Sequence, residues 1–526
     1  MTTTAPAATA APTTTKTIVV RAPATGDEIG QVPISTPEDV RAAVLAARNA
    51  QKEWGALRVK ERCKKLKIFR TALADNLTGI QEILVREGGK STNDAFAESS
   101  GIFLAATYFL GRAPRVLHDH SLDWLWTSVF PARVHYHPRG VVAIIAPWNY
   151  PFLIPAYETF CALAAGNAVV IKPSEWTPLI MRKFKEVWDS TGLPRDLLQV
   201  VNGYGDVGAA LIDAQPDKVH FTGAVKTGKR VAAACGERLI PCTLELGGKA
   251  PAIVLEDADL ERTARTILWG RFFNCGQTCI AVERVYAVGA IAEPLTRRLV
   301  ELAKELKQGA EKGDDVGAMV FPAQVDHVER LVQKARESGA KVELGGARRP
   351  GPGRFFAPTI LTGVTQEMDI IKEEAFGPVL PIVKVADADE AVRLANDSTL
   401  GLNAYVFAGS NRKGVEVAER VRAGTTLVND VIVNYALPAI PFGGVKESGI
   451  GRSHGAEGLR AMCEQRVVAR PRLARFPVSS LLRYPYSAER TKKIEGALRW
   501  LFGSRKASGS EAESAKLGGS GTEPPK

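Results

Sequence analysis

The chain predicts an α/β fold: an open parallel sheet first, then a second α/β region. Three observations carry this. Gly140-Val141-Val142-Ala143-Ile144-Ile145 is an unbroken apolar, β-rich run, as a strand buried on both faces requires. From there strand-like and helix-like stretches alternate as far as Leu246, the pattern of a doubly wound parallel sheet. At 526 residues the chain is too long for one small core, so two packed domains with additions are expected.

Taken in order, residues 17–20 and 28–32 flank Ala24-Thr25-Gly26-Asp27 and predict a hairpin. From Pro37 to about Ser99 apolar residues recur at three- and four-residue spacing, a helical pattern. Residues 121–138 hold Trp124, Trp126, Phe130 and Tyr136 and end in alternation, which predicts an exposed β-ribbon in need of a partner. The alternating section then predicts helices over 155–163, 179–189, 208–213 and 228–235. Between them come strands over 168–171, 198–201, 218–221 and 243–246. Asp257-Ala258-Asp259-Leu260-Glu261 opens a further helix. A second α/β region runs to about Val445, past the glycine-rich loop Gly443–Gly449.

A mean hydropathy of −0.05 and the absence of any membrane-spanning apolar run predict a soluble protein. Residues 1–16 read as a disordered lead-in, without the basic start and apolar middle of a secretory signal. Seven cysteines, an odd number without regular spacing, suit a reducing cytoplasm rather than a disulfide framework. The net charge of +11 is concentrated between 470 and 506, where only Glu489 and Glu495 oppose the Lys and Arg residues. The excess therefore gives no reason to expect nucleic acid on the body of the protein. Residues 473–506 read as a basic extension and 507–526 as a disordered polar tail. Within the extension, 488–502 has the spacing of a basic amphipathic helix, suited either to an anionic membrane surface or to its own subunit.

Two glycine motifs invite a nucleotide reading. Gly203-Tyr204-Gly205-Asp206-Val207-Gly208 fits G-x-G-x-x-G between strand and helix; it suits a phosphate site or a tight turn beside the adenine. Gly223-Ala224-Val225-Lys226-Thr227-Gly228-Lys229-Arg230 follows the phosphate-loop pattern until Arg230, where a Mg²⁺-binding hydroxyl is required, so an NTPase is excluded. What survives is a turn at Gly223 before a helix whose free N–H groups can face a pyrophosphate. The histidines add little: the pairs His118/His120 and His135/His137 lack a carboxylate–cysteine set and read as surface residues, and no metal is predicted.

The chemistry concentrates between Thr243 and Cys279. A thiol attacks carbonyl carbon as the thiolate, and a thioester hydrolyses quickly when a neighbouring base deprotonates water. Cys279 and Glu245 are the residue types for those tasks. Either could instead be structural, Cys279 as a small buried hydrophobe and Glu245 in a buried ion pair. Cys275, Cys63, Cys161, Cys235, Cys242 and Cys463 read as buried small residues.

Leu244-Glu245-Leu246-Gly247-Gly248-Lys249 and Asn274-Cys275-Gly276-Gln277-Thr278-Cys279, in this order, resemble the NAD(P)-dependent aldehyde dehydrogenase superfamily. Pro147-Trp148-Asn149-Tyr150-Pro151, Ile171-Lys172-Pro173-Ser174-Glu175, Glu373-Glu374-Ala375-Phe376-Gly377-Pro378 and Pro441-Phe442-Gly443-Gly444 extend the resemblance over about residues 17–472. It implies a Rossmann-type NAD-binding domain (17–120 and 139–246), a catalytic domain (247–445) and a β-ribbon oligomerisation element (121–138 and 462–472). It further implies Cys279 as nucleophile, Glu245 as general base and Asn149 at the oxyanion. Cofactor contacts fall on Trp148, Lys172, Glu175, Gly203, Gly223, Glu374 and Phe376. Glu175 on the ribose implies NAD, with NADP as the alternative. Ala224 stands where the family has a serine on the pyrophosphate, so phosphate binding rests more on backbone amides. Tyr150, Tyr157, Phe273 and Tyr435 are implied to line a substrate tunnel for an apolar aldehyde, aliphatic, aromatic or long-chain. A homodimer or homotetramer in the cytoplasm is the expected assembly, with peripheral membrane contact through the basic segment as an option. The rivals are a CoA-acylating dehydrogenase, which usually lacks the Glu245 equivalent, and a redox-inactive scaffold on the same fold.

Overall fold

A computed structural model describes residues 16–122, 130–472 and 483–503. The expected lead-in, Trp124 and Trp126 of the ribbon, and residues 473–482 and 504–526 lie outside them. By its internal contacts the chain divides into a larger unit, Met1–His118 with His135–Arg466, and a smaller one, Asp119–Val134 with Val467–Lys526.

In the larger unit the hairpin Thr17–Arg21/Glu28–Pro33 leads into the helices Pro37–Ala56, Val59–Asp75, Leu77–Gly88 and Thr92–Val116. The first starts at a capping box in which Thr36 and Asp39 bond each other's backbone N–H, with Pro37 at its first turn. These helices share one core with a six-stranded sheet through Trp54, Leu66, Phe69 and Phe109.

That sheet runs in the order Gly449–Ile450, Cys242–Glu245, Lys218–Thr222, Val141–Ile145, Ala168–Lys172, Leu198–Val200. Every pairing is parallel except that of Gly449–Ile450, which adds antiparallel to Cys242–Glu245. Val141–Ile145, wholly buried, is the first of this sheet's strands in chain order yet sits centrally. Later strands are added first on one side of it and then on the other. A ligand crevice forms where such winding reverses, at the carboxyl ends of the strands. Trp148 and Asn149, Lys172, Gly223 and Glu245 all follow or end strands at that edge.

A seven-stranded sheet forms a second core. Its order is Lys341–Leu344, Thr359–Thr362, Val379–Val385, Arg284–Val288, Pro251–Val254, Asn403–Phe407, Thr425–Val428, parallel apart from the first strand. The chain then returns to the first core, where Leu459, Met462 and Cys463 pack. Residues 459–463 thus serve the first domain, which the sequence left unassigned or gave to the ribbon.

In the smaller unit His120–Ser121 pairs antiparallel with Val134 and Arg133, and the Arg470 N–H donates to the Pro131 carbonyl at 3.1 Å. Val467–Ala469, the part of the strand Cys463–Ala469 that falls in this unit, lies at the edge, with Val467 and Val468 exposed. Ala488–Phe502 is a helix over the span its periodicity predicts, capped by Ser487 and without a buried residue.

Candidate active site

Cys279 is delivered by a tightly wound loop. The helix Leu260–Phe272 starts at Asp259, whose carboxylate accepts the Arg262 N–H at 2.8 Å. At its end Asn274, Cys275 and Gly276 adopt φ of 53°, 55° and 72°, three left-handed residues in succession. Only Gly276 does so without steric cost. A Cβ there would also stand 2.4 Å from Arg271 and 2.5 Å from the Gly377 carbonyl.

A buried charge cluster holds the turn in place. Arg271 donates to the Gly276 carbonyl at 3.0 Å, to the Gly377 carbonyl and to Glu283 at 2.7 Å. Lys249 donates to the other oxygen of Glu283 at 2.7 Å, and the N–H groups of Ala375 and Phe376 also donate to this carboxylate. Burial would raise the Glu283 carboxyl, but Arg271 and Lys249 outweigh it and hold it at about 2. One carboxylate therefore ties together the cysteine loop, the Gly247–Lys249 segment and the loop carrying Glu374 and Phe376.

Lys90 anchors the opposite wall. It donates to the Asn149 carbonyl at 2.7 Å and to the Asn274 side chain at 2.6 Å, and pairs with Glu98 at 3.1 Å. Glu98 in turn accepts the N–H groups of Phe152 and Leu153 at the start of the helix Leu153–Ala165. The Asn149 amide donates to the Gln277 carbonyl at 3.0 Å, which fixes its rotamer beside the cysteine loop.

Cys279 lines three spaces. The first, about 220 Å³, is also lined by Trp148, Asn149, Gly223, Glu245, Glu374 and Phe376. The second, about 150 Å³, has walls of Tyr150, Tyr157, Trp269, Phe273, Ile432 and Tyr435. The third, about 10 Å³, brings Glu245 together with Glu158, His220, Thr222 and Ser453.

The electrostatics of this wall favour neutral forms. Glu245 is buried; one oxygen accepts from the Ser453 hydroxyl at 3.2 Å and the other has no partner among the described residues. Burial first, and the nearby Glu158 second, raise its carboxyl well above the ordinary range. Burial also pushes the Cys279 thiol up, with Glu374 and Glu245 adding to the effect, although its surface opens onto the cavities. Glu374 rises to about 8, chiefly by burial, while accepting the Gly248 N–H at 2.9 Å.

Three expected cofactor residues stand outside the first cavity. Lys172 and Glu175 pair at 3.5 Å beyond a neighbouring strand end. Gly203 is buried in the turn before Gly205–Asp213, where a Cβ would lie 2.1 Å from Val207. Close packing thus accounts for that glycine, which favours the tight-turn reading.

Sequence reasoning missed Lys90, Glu98, Asn274, Glu158, His220, Ser453 and His454. His220 and Lys218 were open to recognition, as polar side chains on one face of a strand predicted to be buried. The others depend on tertiary contacts. The seven histidines also say more than expected: His118 and His137 are exposed, but His220 and His454 are buried, His454 stacked on Tyr157 at 3.8 Å.

A doubly wound sheet whose crevice meets a thiol at the cavity wall and a buried carboxylate suits a dinucleotide-dependent oxidoreductase. Residues 10–468 match the Aldehyde dehydrogenase family. The chain is 39% identical over 456 residues to a Mycolicibacterium smegmatis protein named "Putative succinate-semialdehyde dehydrogenase [NADP(+)]", covering 85% of this chain and 88% of that one. It is 37% identical over 503 residues to a 4,4'-diapolycopene aldehyde oxidase of Methylomonas sp, covering 93% and 92%. The crystal structure of a Mycobacterium tuberculosis aldehyde dehydrogenase complexed with NAD+ superposes with a TM-score of 0.83 at 33% identity, covering 88% of this chain and 96% of that one. The chain belongs to the aldehyde dehydrogenase family and is an NAD(P)-dependent oxidoreductase.

Proposed function

We propose that this protein oxidises apolar aldehydes to carboxylic acids through a thioester on Cys279. The observation that carries the reading is that Cys279 is common to an apolar cavity and to the cavity of Glu245, Glu374 and Phe376. In this reading the six-stranded sheet belongs to the cofactor-binding domain and the seven-stranded sheet to the catalytic domain.

The dinucleotide fits what is present. A turn at Gly223 opens the helix Val225–Glu237, and its cap, Ala224, has no hydroxyl to occupy the first N–H groups. A Cβ on Gly247 would stand 2.3 Å from the Glu374 carboxylate, so that segment must be bare beside the cavity. Trp148, Gly223, Glu374 and Phe376 would hold the nicotinamide half, and Lys172 and Glu175 the adenosine ribose. When bound, the dinucleotide supplies the hydride acceptor. The Glu175 carboxylate disfavours a 2′-phosphate, which supports NAD over NADP.

The aldehyde enters among Tyr150, Tyr157, Phe273 and Tyr435. Cys279 first loses its thiol proton to solvent and adds to the carbonyl carbon as the thiolate, the carbonyl π pair moving to oxygen, and the Asn149 amide steadies the resulting oxyanion. Once hydride has left, the acyl group remains as a thioester. Glu245 then takes a proton from water, the hydroxide adds, and the thiolate leaves as the acid forms. The relatives' names point to a short acidic and a long apolar aldehyde respectively. Among the described residues no arginine or lysine lines the second cavity, which favours the apolar one.

Two further parts follow from the smaller unit. The edge strand Cys463–Ala469, with Val467 and Val468 exposed, is suited to pairing in a homo-oligomer. Ala488–Phe502 exposes Leu498, Trp500, Leu501 and Phe502 alongside Lys492, Lys493 and Arg499, a composition for an anionic bilayer surface. Equal pelleting with anionic liposomes before and after truncation at Phe476 would remove the membrane assignment.

The test of the whole reading is a panel of aldehydes of graded chain length, assayed with NAD and with NADP. Turnover should rise with apolar length, and Cys279→Ala should abolish it. Substantial NAD-dependent oxidation by Cys279→Ala would overturn the scheme.

A further inference from the structure

Four aromatic rings run in series along the first cavity, and the steps above use only the inner two. Phe376 meets Trp148 edge to face at 5.3 Å between centroids, and Trp148 meets Phe321 in the same way at 5.0 Å. Phe321 then lies face to face with Trp176 at 5.1 Å. Phe376, Trp148 and Phe321 line the cavity that Cys279 shares. Trp176 stands at the outer end of the series and is 37% exposed even with its neighbour in place.

The outer pair is brought together from two sheets. Trp176 follows the strand Ala168–Lys172, next to Glu175, and its N–H donates to the Ser174 hydroxyl at 3.3 Å. Phe321 precedes the helix Pro322–Glu337, whose Val325, Val328 and Leu331 pack in the second core. The backbone leading to Phe321 is fastened on several sides. The Ala318 N–H donates to the Gly89 carbonyl at 2.7 Å and the Met319 N–H to the Arg354 carbonyl at 2.8 Å. The Val320 N–H donates to the Gln277 side chain at 2.9 Å, which ties it to the cysteine loop. Phe321 is therefore the fixed ring, and Trp176, with solvent beside it, is the one free to turn away.

On the reading given above, Lys172 and Glu175 hold the adenosine ribose, while Glu374 and Phe376 hold the nicotinamide half. The stack joins the segments that carry those two ends. Trp176 adjoins Glu175 in sequence, and the helix that follows Phe321 bonds the other end: Gln324 donates to the Ala375 carbonyl at 2.8 Å, and His327 Nε2 lies 2.9 Å from the Glu374 carbonyl. We propose that Trp176 and Phe321 form a clasp over the bound dinucleotide. Stacked, they close the crevice between its two halves, and the cofactor enters and leaves only when Trp176 swings off Phe321. The inference rests on that placement of the dinucleotide. Two aromatic faces in contact hide surface that each would show to water, so the closed pair is the resting state. One side-chain rotation opens it, a gate on cofactor exchange that leaves the chemistry at Cys279 untouched.

The experiment follows NADH binding and release by stopped-flow fluorescence on the full chain, with excess NAD as the chase. It compares wild type with Trp176→Ala, Trp176→Phe and Phe321→Leu. Losing either ring should raise the association and the dissociation rate alike by about tenfold, the factor that about 1.4 kcal/mol of ring contact is worth, and leave Kd nearly unmoved. Trp176→Phe keeps a ring on the stack and should exchange NADH at close to the wild-type rates. Faster dissociation with unchanged association makes the pair an ordinary contact and overturns the clasp. Unchanged rates in Trp176→Ala overturn it too, as does a Trp176→Phe that exchanges as fast as Trp176→Ala. Ala224→Trp, which fills the cavity, separates the clasp from the reading beneath it. NADH binding unmoved by Ala224→Trp overturns the placement of the dinucleotide itself, whereas binding lost there beside wild-type exchange in Trp176→Ala overturns the clasp alone.

Discussion

Two buried carboxylates close to the cysteine loop have opposite fates. Glu283 meets Arg271, Lys249 and two backbone N–H groups, and stays ionised down to about 2. Glu245 meets one serine hydroxyl and is driven towards its neutral form. Burial is common to both; the number of donors differs. A fully satisfied buried charge is a strut, because moving any partner strands the rest. A carboxylate with an unsatisfied oxygen retains affinity for a proton, which is what a base working on water requires.

The contrast can be broken from either side. Glu245→Gln should lower steady-state turnover by about 10²–10⁴. Mass spectrometry should then detect an acylated Cys279 after one turnover. Glu283→Ala leaves Arg271 and Lys249 buried without their counter-charge, and should cost about 3–5 kcal/mol of stability, read as a lower urea midpoint. The two also part on acidification. The Glu283 contribution, with its depressed pKa, is complete above about 4.5 and fades only as pH falls towards about 2. On the proposed scheme deacylation needs Glu245 ionised, and it should fail at a pH above the ordinary carboxylate range. Stability and turnover profiles falling together at one pH would remove the distinction. The smallest effect belongs to the tunnel wall: Tyr435→Ala should raise KM for long aldehydes by about tenfold, from about 1.5 kcal/mol of lost apolar contact, and leave short ones nearly unchanged.

The parallel sheet was legible because its strands are short apolar runs separated by helical periods, and 179–189 and 488–502 were located to the residue. Helix ends elsewhere move by two or three residues, as at Gly205–Asp213, where Gly205 begins the helix although glycine is a poor helix former. Cys279 and Glu245 stand in motifs and could be found. Lys90 could not: it reaches Asn149 and Asn274 from 59 and 184 residues away, separations that carry no periodic signal. Glu158 was hidden because only the folded chain brings a carboxylate inside an otherwise apolar helix up to His220. The edge strand Gly449–Ile450 is two residues long and depends on Cys242–Glu245 for its existence.

The loop that presents Cys279 has a bearing on the protein's durability. Because burial above all keeps the sulfur protonated, it is a poor target for peroxide, which oxidises the anion. An enzyme waiting without aldehyde would therefore age slowly under oxidative stress, although this sulfur lies at the junction of three cavities.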